Sequence, residues 1–203
     1  TATPIVMDLD DAAAAIELHE DVTERGLDVD ILVNNVGVGT YGPFADSDLD
    51  AERSQLRLNV VLPVELTRLF LDEFDGGGKV LNVGSMAGMA PGPGLSTYYA
   101  SKAYVNSFTQ AIAEELRGEV DVTLVCPGPV DTEFADRAGM GESSVGSVSS
   151  NTAENVAETA YAGLMAGETV VVPSRAMRVV DLLRRVAPRS VVRRVTRWVN
   201  SGR

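Results

Sequence analysis

Cysteine and histidine are nearly absent from this chain of 203 residues, which contains one of each. A lone cysteine excludes an internal disulfide, and Cys126, in an apolar run beside Pro127, is expected to be a small buried residue rather than a reactive thiol. His19 falls in a predicted surface helix. Histidine-based catalytic triads and most zinc sites are therefore excluded, and no metal site is expected.

Long apolar runs are also missing. No segment approaches the roughly 18 consecutive apolar residues that span a bilayer, and the chain does not open with a signal-peptide pattern. A composition of 45% hydrophobic and 23% charged residues is ordinary for one soluble α/β domain. The expected location is the cytoplasm.

Lysine is scarce, and the charge is unevenly distributed. The net charge is −12, and Lys79 and Lys102 are the only lysines. Residues 175–203 carry nine arginines and one acidic residue, a net charge of +8, which leaves −20 on residues 1–174. An acidic body favours solubility at high salt, which suggests a halophilic source, and it disfavours nucleic acid as a partner.

The basic tail has apolar residues at helical spacing, which predicts two amphipathic helices separated by Pro188. Contact with an anionic membrane surface is one interpretation. The favoured one is that the helices cover a substrate opening or pack on the acidic body. We divide the chain into a domain of residues 1–174 and this tail, residues 175–203.

Strand and helix patterns alternate along the chain. Apolar runs ending in polar or Gly/Pro loops predict strands at residues 3–7, 30–34, 80–84, 122–126 and 169–172. Helices are predicted for residues 11–25, 47–74, 97–117 and 152–166. The alternation indicates an α/β fold, a doubly wound parallel sheet with helices on both faces. Ligands of such sheets bind at the carboxyl edge of the strands.

Tyr98 and Lys102 lie four residues apart on one predicted helix. A phenol with a pKa near ~10 is a poor acid or base at neutral pH, but a cation one helical turn away lowers that pKa. The pair is therefore a candidate for acid-base chemistry. Ser85, at the end of a predicted strand, is expected at the same edge of the sheet.

Five motifs in chain order resemble those of the short-chain dehydrogenase/reductase family. They are Asp8-Leu9, Asn34-Asn35-Val36-Gly37, Asn59, Ser85 with Tyr98 and Lys102, and Pro127-Gly128-Pro129-Val130-Asp131-Thr132. Gly84 stands where that family often has a second serine. The resemblance reaches to about Pro173 and implies a Rossmann-like fold.

The resemblance also implies a function, which is hydride transfer between NAD or NADP and a carbonyl or alcohol substrate. Tyr98 is the expected general acid and base, Ser85 the donor to the substrate oxygen, Lys102 the cation beside the ribose and Asn59 part of a proton relay. Homo-oligomers are expected through the helices of residues 47–74 and 97–117. Residues 139–150 resemble the family's substrate loop.

Further residues are assigned to cofactor binding by the same resemblance. Asp8 and Leu9 match the adenine contacts, and Asn35 and Gly37 match the backbone approach beside the adenosine ribose. Asn34 is expected to tie neighbouring strands together. The remaining positions, beside Tyr98 and Lys102, follow the third strand motif and are Pro127, Gly128, Val130 and Thr132.

The chain departs from the family at its start. Family members open with a strand, a Gly-x-x-x-Gly-x-Gly turn and a helix that binds the cofactor pyrophosphate. This chain opens in what resembles the third strand, so we expect a fold without the first two strands and the Gly-rich turn, with an apolar sheet edge near Ile31. A truncated chain is the interpretation. The choice between NAD and NADP is not readable.

Two alternatives stay open. One is a cofactor-less remnant or interaction module without activity, which the lack of an opening glycine turn favours. The other is a nucleotide-sugar epimerase or dehydratase of the extended relatives, which share the Tyr-x-x-x-Lys pattern. The Asn-Asn-x-Gly turn and the short C-terminal region argue against the epimerase.

Overall fold

Four parallel strands form one sheet. The computed structural model describes residues 2–74, 76–140 and 151–201. The strands are β1 (Ile31–Asn34), β2 (Lys79–Val83), β3 (Asp121–Val125) and β4 (Val170–Val171), and they lie side by side in chain order. Because all the pairs are parallel, the carboxyl ends of the strands meet at one edge of the sheet.

The helices of the described residues lie between and after these strands. They are α1 (Ala14–Glu24), α2 (Leu49–Leu56), α3 (Leu62–Leu71), α4 (Ser96–Glu115), α5 (Phe134–Arg137), α6 (Ala153–Met165), α7 (Arg175–Val186) and α8 (Arg189–Asn200). Two 3₁₀ turns, Phe44–Asp46 and Met86–Met89, lie in the loops after β1 and β2. The two tail helices predicted on either side of Pro188 are confirmed as α7 and α8.

Helices cover both faces of the sheet. On one face α6 packs against alternate strand positions, which include Leu81, Val125 and Val171. On the other face α3 packs against α1 and Leu32, and α4 contacts β2 and β3. The strands are apolar because both of their faces are covered. The predicted parallel α/β sheet with helices on both faces is confirmed.

The helix predicted for residues 47–74 is interrupted, so that prediction is corrected. α2 begins after Asp48, whose side chain caps it. Arg57–Val61 then form a π-helical turn before α3 starts. Pro63 has no N–H to donate to the carbonyl of Asn59, four residues earlier, which breaks the α-helical ladder at that point.

Residues 3–7, predicted as a strand, form none in the structure. Val6 is 96% exposed, and no described strand lies beside this segment to pair with its backbone groups. The predicted sheet edge is confirmed, because β1 pairs only with β2 among the described residues and its Val33 is 51% exposed. The predicted loop of residues 139–150 lies, from residue 141 onward, outside the described residues.

A chain of buried and half-buried polar side chains crosses the sheet. Asn34 at the end of β1 donates from Nδ2 to Asn82 Oδ1 over 2.8 Å and to Thr67 Oγ1 of α3 over 3.1 Å. Asn82 in turn donates to Thr109 Oγ1 of α4 over 3.0 Å. The predicted role of Asn34 in tying strands together is confirmed, and the chain fixes the helices on the sheet face that they share.

We expect Asn82→Ala to lower the free energy of unfolding by about 2 kcal/mol, because it removes two hydrogen bonds of a buried network. Chemical denaturation followed by circular dichroism measures this. Asn35→Ala is the control, since that asparagine is exposed and its loss should change stability by less than about 0.5 kcal/mol. Equal stabilities of the two variants would contradict the role given to the network.

Candidate active site

One side of α4 carries the main candidate groups. Tyr98, Lys102 and Asn106 follow one another at steps of four residues, so they lie along one face of this helix. Lys102 and Asn106 are buried, and Tyr98 is half-buried near the start of the helix. α4 therefore delivers a phenol, an ammonium group and an amide to the carboxyl ends of β2 and β3.

Ser85, which follows β2, is held by α4. Asn106 Nδ2 donates to Ser85 O over 2.9 Å, and Ser85 N–H donates to Asn106 Oδ1 over 3.3 Å. The Ser85 hydroxyl accepts from the N–H of Ala87 over 3.0 Å, and it lies close enough to the phenol of Tyr98 to act against the raised pKa of that phenol. The structure thus brings two predicted catalytic residues, Ser85 and Tyr98, close together.

The packing around Gly84 explains why a glycine stands where the family often has a second serine. A Cβ atom on Gly84 would lie 2.1 Å from Asn106 Oδ1, and one on Gly88 would lie 2.5 Å from the backbone of Lys102. A serine at position 84 would displace the amide that holds Ser85. Glycine is needed at both positions because the loop after β2 lies directly against α4.

The Lys102 ammonium group lies deep in the site. Its Nζ donates to Val83 O over 2.8 Å, and a Cβ atom built on Gly37 would lie 3.3 Å from it. Burial lowers the pKa of Lys102 to about 8, because the charged form loses hydration. Gly37 therefore lets the loop after β1 pack closely against this cation, because a side chain at that position would press on the ammonium group.

Tyr98 differs from the prediction. Its pKa is raised to about 12, because burial of the phenol outweighs the hydrogen bond from Ser85, which lowers it. The ring packs 5.1 Å from that of Phe134, measured between centroids, beside an apolar cluster that contains Leu95 and Met140. The predicted lowering by Lys102 is absent here, since the ammonium group is engaged by the carbonyl of Val83 instead.

Asn59 lies in the π-helical turn and is buried. Its amide exchanges two hydrogen bonds of 2.9 Å with the backbone of Val38 and donates to Ser101 Oγ over 3.0 Å. A Cβ atom on Gly37 would lie 3.4 Å from Asn59 Oδ1. Asn59 therefore fixes the loop after β1 against α4, beside the Lys102 ammonium group.

The segment after β3 forms the other side of the site. Pro127 O accepts from Met86 N–H over 3.0 Å, and Met177 of α7 packs on Gly128. Val130 forms an isolated β-bridge, and Thr132 accepts a hydrogen bond from the backbone of the residue two positions later. A cleft of about 500 Å³ lies between this segment and the loop after β1, lined by residues that include Gly37, Gly39, Thr132 and Phe134.

The predicted adenine contacts are not gathered into that cleft. Asp8 and Asn35 are exposed, and the Asp8 carboxylate accepts a hydrogen bond from the N–H of Asp10. Leu9 packs against the core between α1 and α3. Of the predicted cofactor residues, Gly37 and Thr132 line the cleft, and the site is built most completely around Lys102.

A Gly-x-x-x-Gly-x-Gly spacing does occur, from Gly88 to Gly94, but it offers no open cradle for a phosphate. A Cβ atom on Gly92 would lie 2.2 Å from the ring of Tyr99, and Gly88 backs onto Lys102. These glycines bring the loop against α4. Their packing differs from that of a glycine turn whose free N–H groups face an anion.

Asn200 completes the rim of the site, and the sequence did not point to it. This buried residue of α8 accepts from Tyr99 Oη at Oδ1 over 3.1 Å and from Tyr41 Oη at its carbonyl over 2.9 Å, and it donates to Pro93 O over 3.0 Å. No local pattern could reveal contacts between such distant segments. Asn106 was also missed, although its position one turn after Lys102 was a usable signal.

Comparisons with known proteins place this geometry in context. The model of the short chain dehydrogenase family matches residues 1–143. The probable oxidoreductase EphD of Mycobacterium tuberculosis (strain ATCC 25618 / H37Rv) is 37% identical over 142 residues, which are 68% of this chain and 24% of that protein. The NADPH-dependent 3-dehydrocapnine reductase of Ornithobacterium rhinotracheale is 37% identical over 135 residues, 63% of this chain and 47% of that protein.

A solved structure agrees with both. The short-chain dehydrogenase from Sphingobium yanoikuyae, in complex with NADPH, superposes with a TM-score of 0.73 at 27% identity and covers 88% of this chain and 71% of that one. This chain spans about a quarter of the length of the EphD protein and about half of the length of the 3-dehydrocapnine reductase. From the family match and the shared parallel sheet, this chain belongs to the short-chain dehydrogenase family.

Proposed function

We propose that this protein is an oxidoreductase that uses NAD or NADP to interconvert a carbonyl compound and an alcohol. The observation that carries the proposal is the proximity of Tyr98 to Ser85, which Asn106 holds beside the buried Lys102. Two hydroxyl groups and an ammonium group at one sheet edge suit a reaction in which an oxygen gains or loses a proton.

The residues fit one end of a nicotinamide cofactor. Lys102 Nζ lies next to Gly37, where it could hold the ribose hydroxyls, and Gly37 and Thr132 line one cleft. Lys102, Thr132, Val130 and the backbone around Gly37 would hold this end. A bound nicotinamide would supply or accept the hydride. The diphosphate end has no glycine cradle within the described residues.

Tyr98 moves the proton in the proposed mechanism. Because its pKa is raised to about 12, the phenol is protonated at neutral pH and is ready to donate to the oxygen of a carbonyl substrate. Ser85 donates a hydrogen bond to that same oxygen as negative charge develops on it. In the oxidative direction Tyr98 must first lose its own proton to the relay, and the phenolate then accepts the proton of the alcohol.

Lys102 and Asn59 assist the proton transfer at Tyr98. Lys102, mostly protonated at neutral pH with a pKa of about 8, stabilises negative charge on Tyr98 when a ligand draws the ammonium group from the carbonyl of Val83. Asn59, which holds Val38 and Ser101, keeps the loop after β1 in place and remains our candidate for the proton relay to Lys102.

The substrate is proposed to be an apolar ketone or ketoacyl compound. Tyr98 packs against an apolar cluster that consists of Leu95, Tyr99, Phe134, Ala135, Ala138 and Met140. Such a wall binds apolar groups and offers no buried charge to select an ionic substrate. The two curated relatives described above carry the names of an oxidoreductase and a reductase.

We expect Tyr98→Phe to reduce turnover of an apolar ketone by about a hundredfold or more, because the proton donor is lost. Binding of NADH or NADPH, followed by nucleotide fluorescence, should change little. Tyr104→Phe is the matched control, since this tyrosine of α4 is 46% exposed. Equal turnover of the two variants would overturn the role of Tyr98.

The burial of the Lys102 cation can be tested without measuring turnover. Its pKa in the folded protein, about 8, lies below its ordinary value of 10.5. Between these values the unfolded chain binds more protons, so Lys102 contributes stability that rises with pH from about 8 upward. We expect the difference in unfolding free energy between wild type and Lys102→Met to shift in favour of wild type between pH 7 and 9.

Comparing wild type with Lys102→Met removes the pH dependence of stability that other titratable groups contribute to both proteins. Burial raises the pKa values of Tyr98 and Cys126, each to about 12, which lowers stability at higher pH in both proteins alike. A difference that stays constant with pH would mean that Lys102 is not a buried cation in the folded protein.

A second candidate is a protein that keeps the site without a cofactor. The closed packing of Gly88 and Gly92, which leaves no open phosphate cradle there, favours it. Titration with NADH and NADPH to millimolar concentration separates the two candidates. Saturable binding supports the oxidoreductase, and the absence of binding by both nucleotides supports the remnant.

We also propose a homo-oligomer through α2, α3 and α4. Leu56 of α2, Val61 of the π-helical turn that joins α2 to α3, and Tyr104 of α4 are each about half exposed, and Tyr104 stacks on Phe108 of α4. We expect light scattering at high salt to give at least a dimeric mass, and Tyr104→Glu to give a monomer. Tyr161→Glu is the control, because Tyr161 is an exposed residue of α6. A monomeric wild type would contradict this assembly.

A further inference from the structure

Helix α7 is attached to the body of the protein through its charged side. Arg184 pairs with Asp181 and donates from Nη1 to Met89 O over 2.8 Å. Met177, one turn before Asp181, packs on Gly128. These three residues follow at steps of four and three, so they form one face, and that face is turned toward the sheet.

The opposite side of α7 is apolar and exposed. The residues on it are Val179, Leu182, Leu183 and Val186, which are 57–80% exposed. Their spacing of three and four residues gives one continuous stripe along the helix. An amphipathic helix normally buries such a stripe, and here the arrangement is inverted.

Helix α8 also leaves an apolar stripe exposed, but its attached side is uncharged. It is held by Val192, Thr196 and the buried Asn200, which follow at steps of four residues. A second stripe, consisting of Val191, Val195 and Trp198, is about half exposed or more. The arginines of this helix, which are Arg189, Arg193, Arg194 and Arg197, are all exposed.

We propose that α7 and α8 form a docking surface for the face of an anionic lipid bilayer. Helices with a basic side and an exposed apolar stripe that includes tryptophan bind in the headgroup region, with the apolar residues in contact with acyl chains. In the described part of the chain, no helix has the length and apolarity to cross a bilayer.

The positive charge of the tail favours a bilayer, rather than a second copy of the chain, as the partner of this surface. Residues 175–203 carry a net +8, so two tails placed face to face would repel each other. The acidic body of another copy could pair with the arginines but would not cover two apolar stripes. Repulsion between an anionic bilayer and the body is screened beyond about 8 Å at physiological salt.

Flotation with lipid vesicles tests this proposal on the full chain. We expect binding to vesicles of phosphatidylcholine and phosphatidylglycerol mixed two to one, and little binding to phosphatidylcholine alone. Trp198, the only tryptophan, should shift its fluorescence to shorter wavelength as it enters the headgroup region. The proposal does not depend on the proposed oxidoreductase activity, since the measurement needs no nucleotide.

Two sets of variants sharpen the test. Leu182→Asp with Leu183→Asp should abolish binding, and replacing Arg193, Arg194 and Arg197 by glutamine should weaken it by roughly a hundredfold. Ile16→Asp on α1, also about half exposed, is the control and should bind as wild type does. Circular dichroism checks that each variant is folded.

Two outcomes would overturn the proposal. The first is an absence of binding to anionic vesicles at physiological salt. The second is a self-associated wild type in light scattering that becomes monomeric with Leu182→Asp and Leu183→Asp, since the stripes would then be an interface between copies.

Discussion

Buried side-chain amides are the constraint on which this structure depends. Asn34, Asn82 and Asn106 connect the ends of β1 and β2 to the helices on one face of the sheet, and Asn59 does the same for the loop after β1. A buried amide that loses its partner costs more than it gained by pairing, so each bond specifies one arrangement. The site inherits its geometry from this network, because Ser85 is held through its backbone by Asn106.

The electrostatics of the site follow from the same packing. Burial raises the pKa of Tyr98 to about 12 and lowers that of Lys102 to about 8, so both groups are held toward their neutral forms. A ligand that drew Lys102 away from Val83 would change this balance in favour of a charged pair. In the proposed mechanism, acid-base chemistry therefore depends on how a bound ligand changes the pKa values of these two groups.

The sequence predicted the elements more reliably than the contacts. Apolar runs and their polar ends located the strands, and the spacing of Tyr98 and Lys102 located one face of α4. The break before Pro63 was missed because the apolar pattern continues through it, and residues 3–7 form no strand because strand pairing depends on a neighbour. The direction of the Tyr98 pKa shift and the contacts of Asn200 were not predictable, since both arise from segments that are distant in sequence.

The most direct test of the account is a crystal structure of this chain grown with NADPH or NADH. The account predicts the nicotinamide in the cleft between Gly37 and Thr132, with its ribose at Lys102 Nζ and with the hydroxyls of Ser85 and Tyr98 in contact on the substrate side. A nucleotide bound elsewhere, or Ser85 and Tyr98 held apart in the complex, would contradict it.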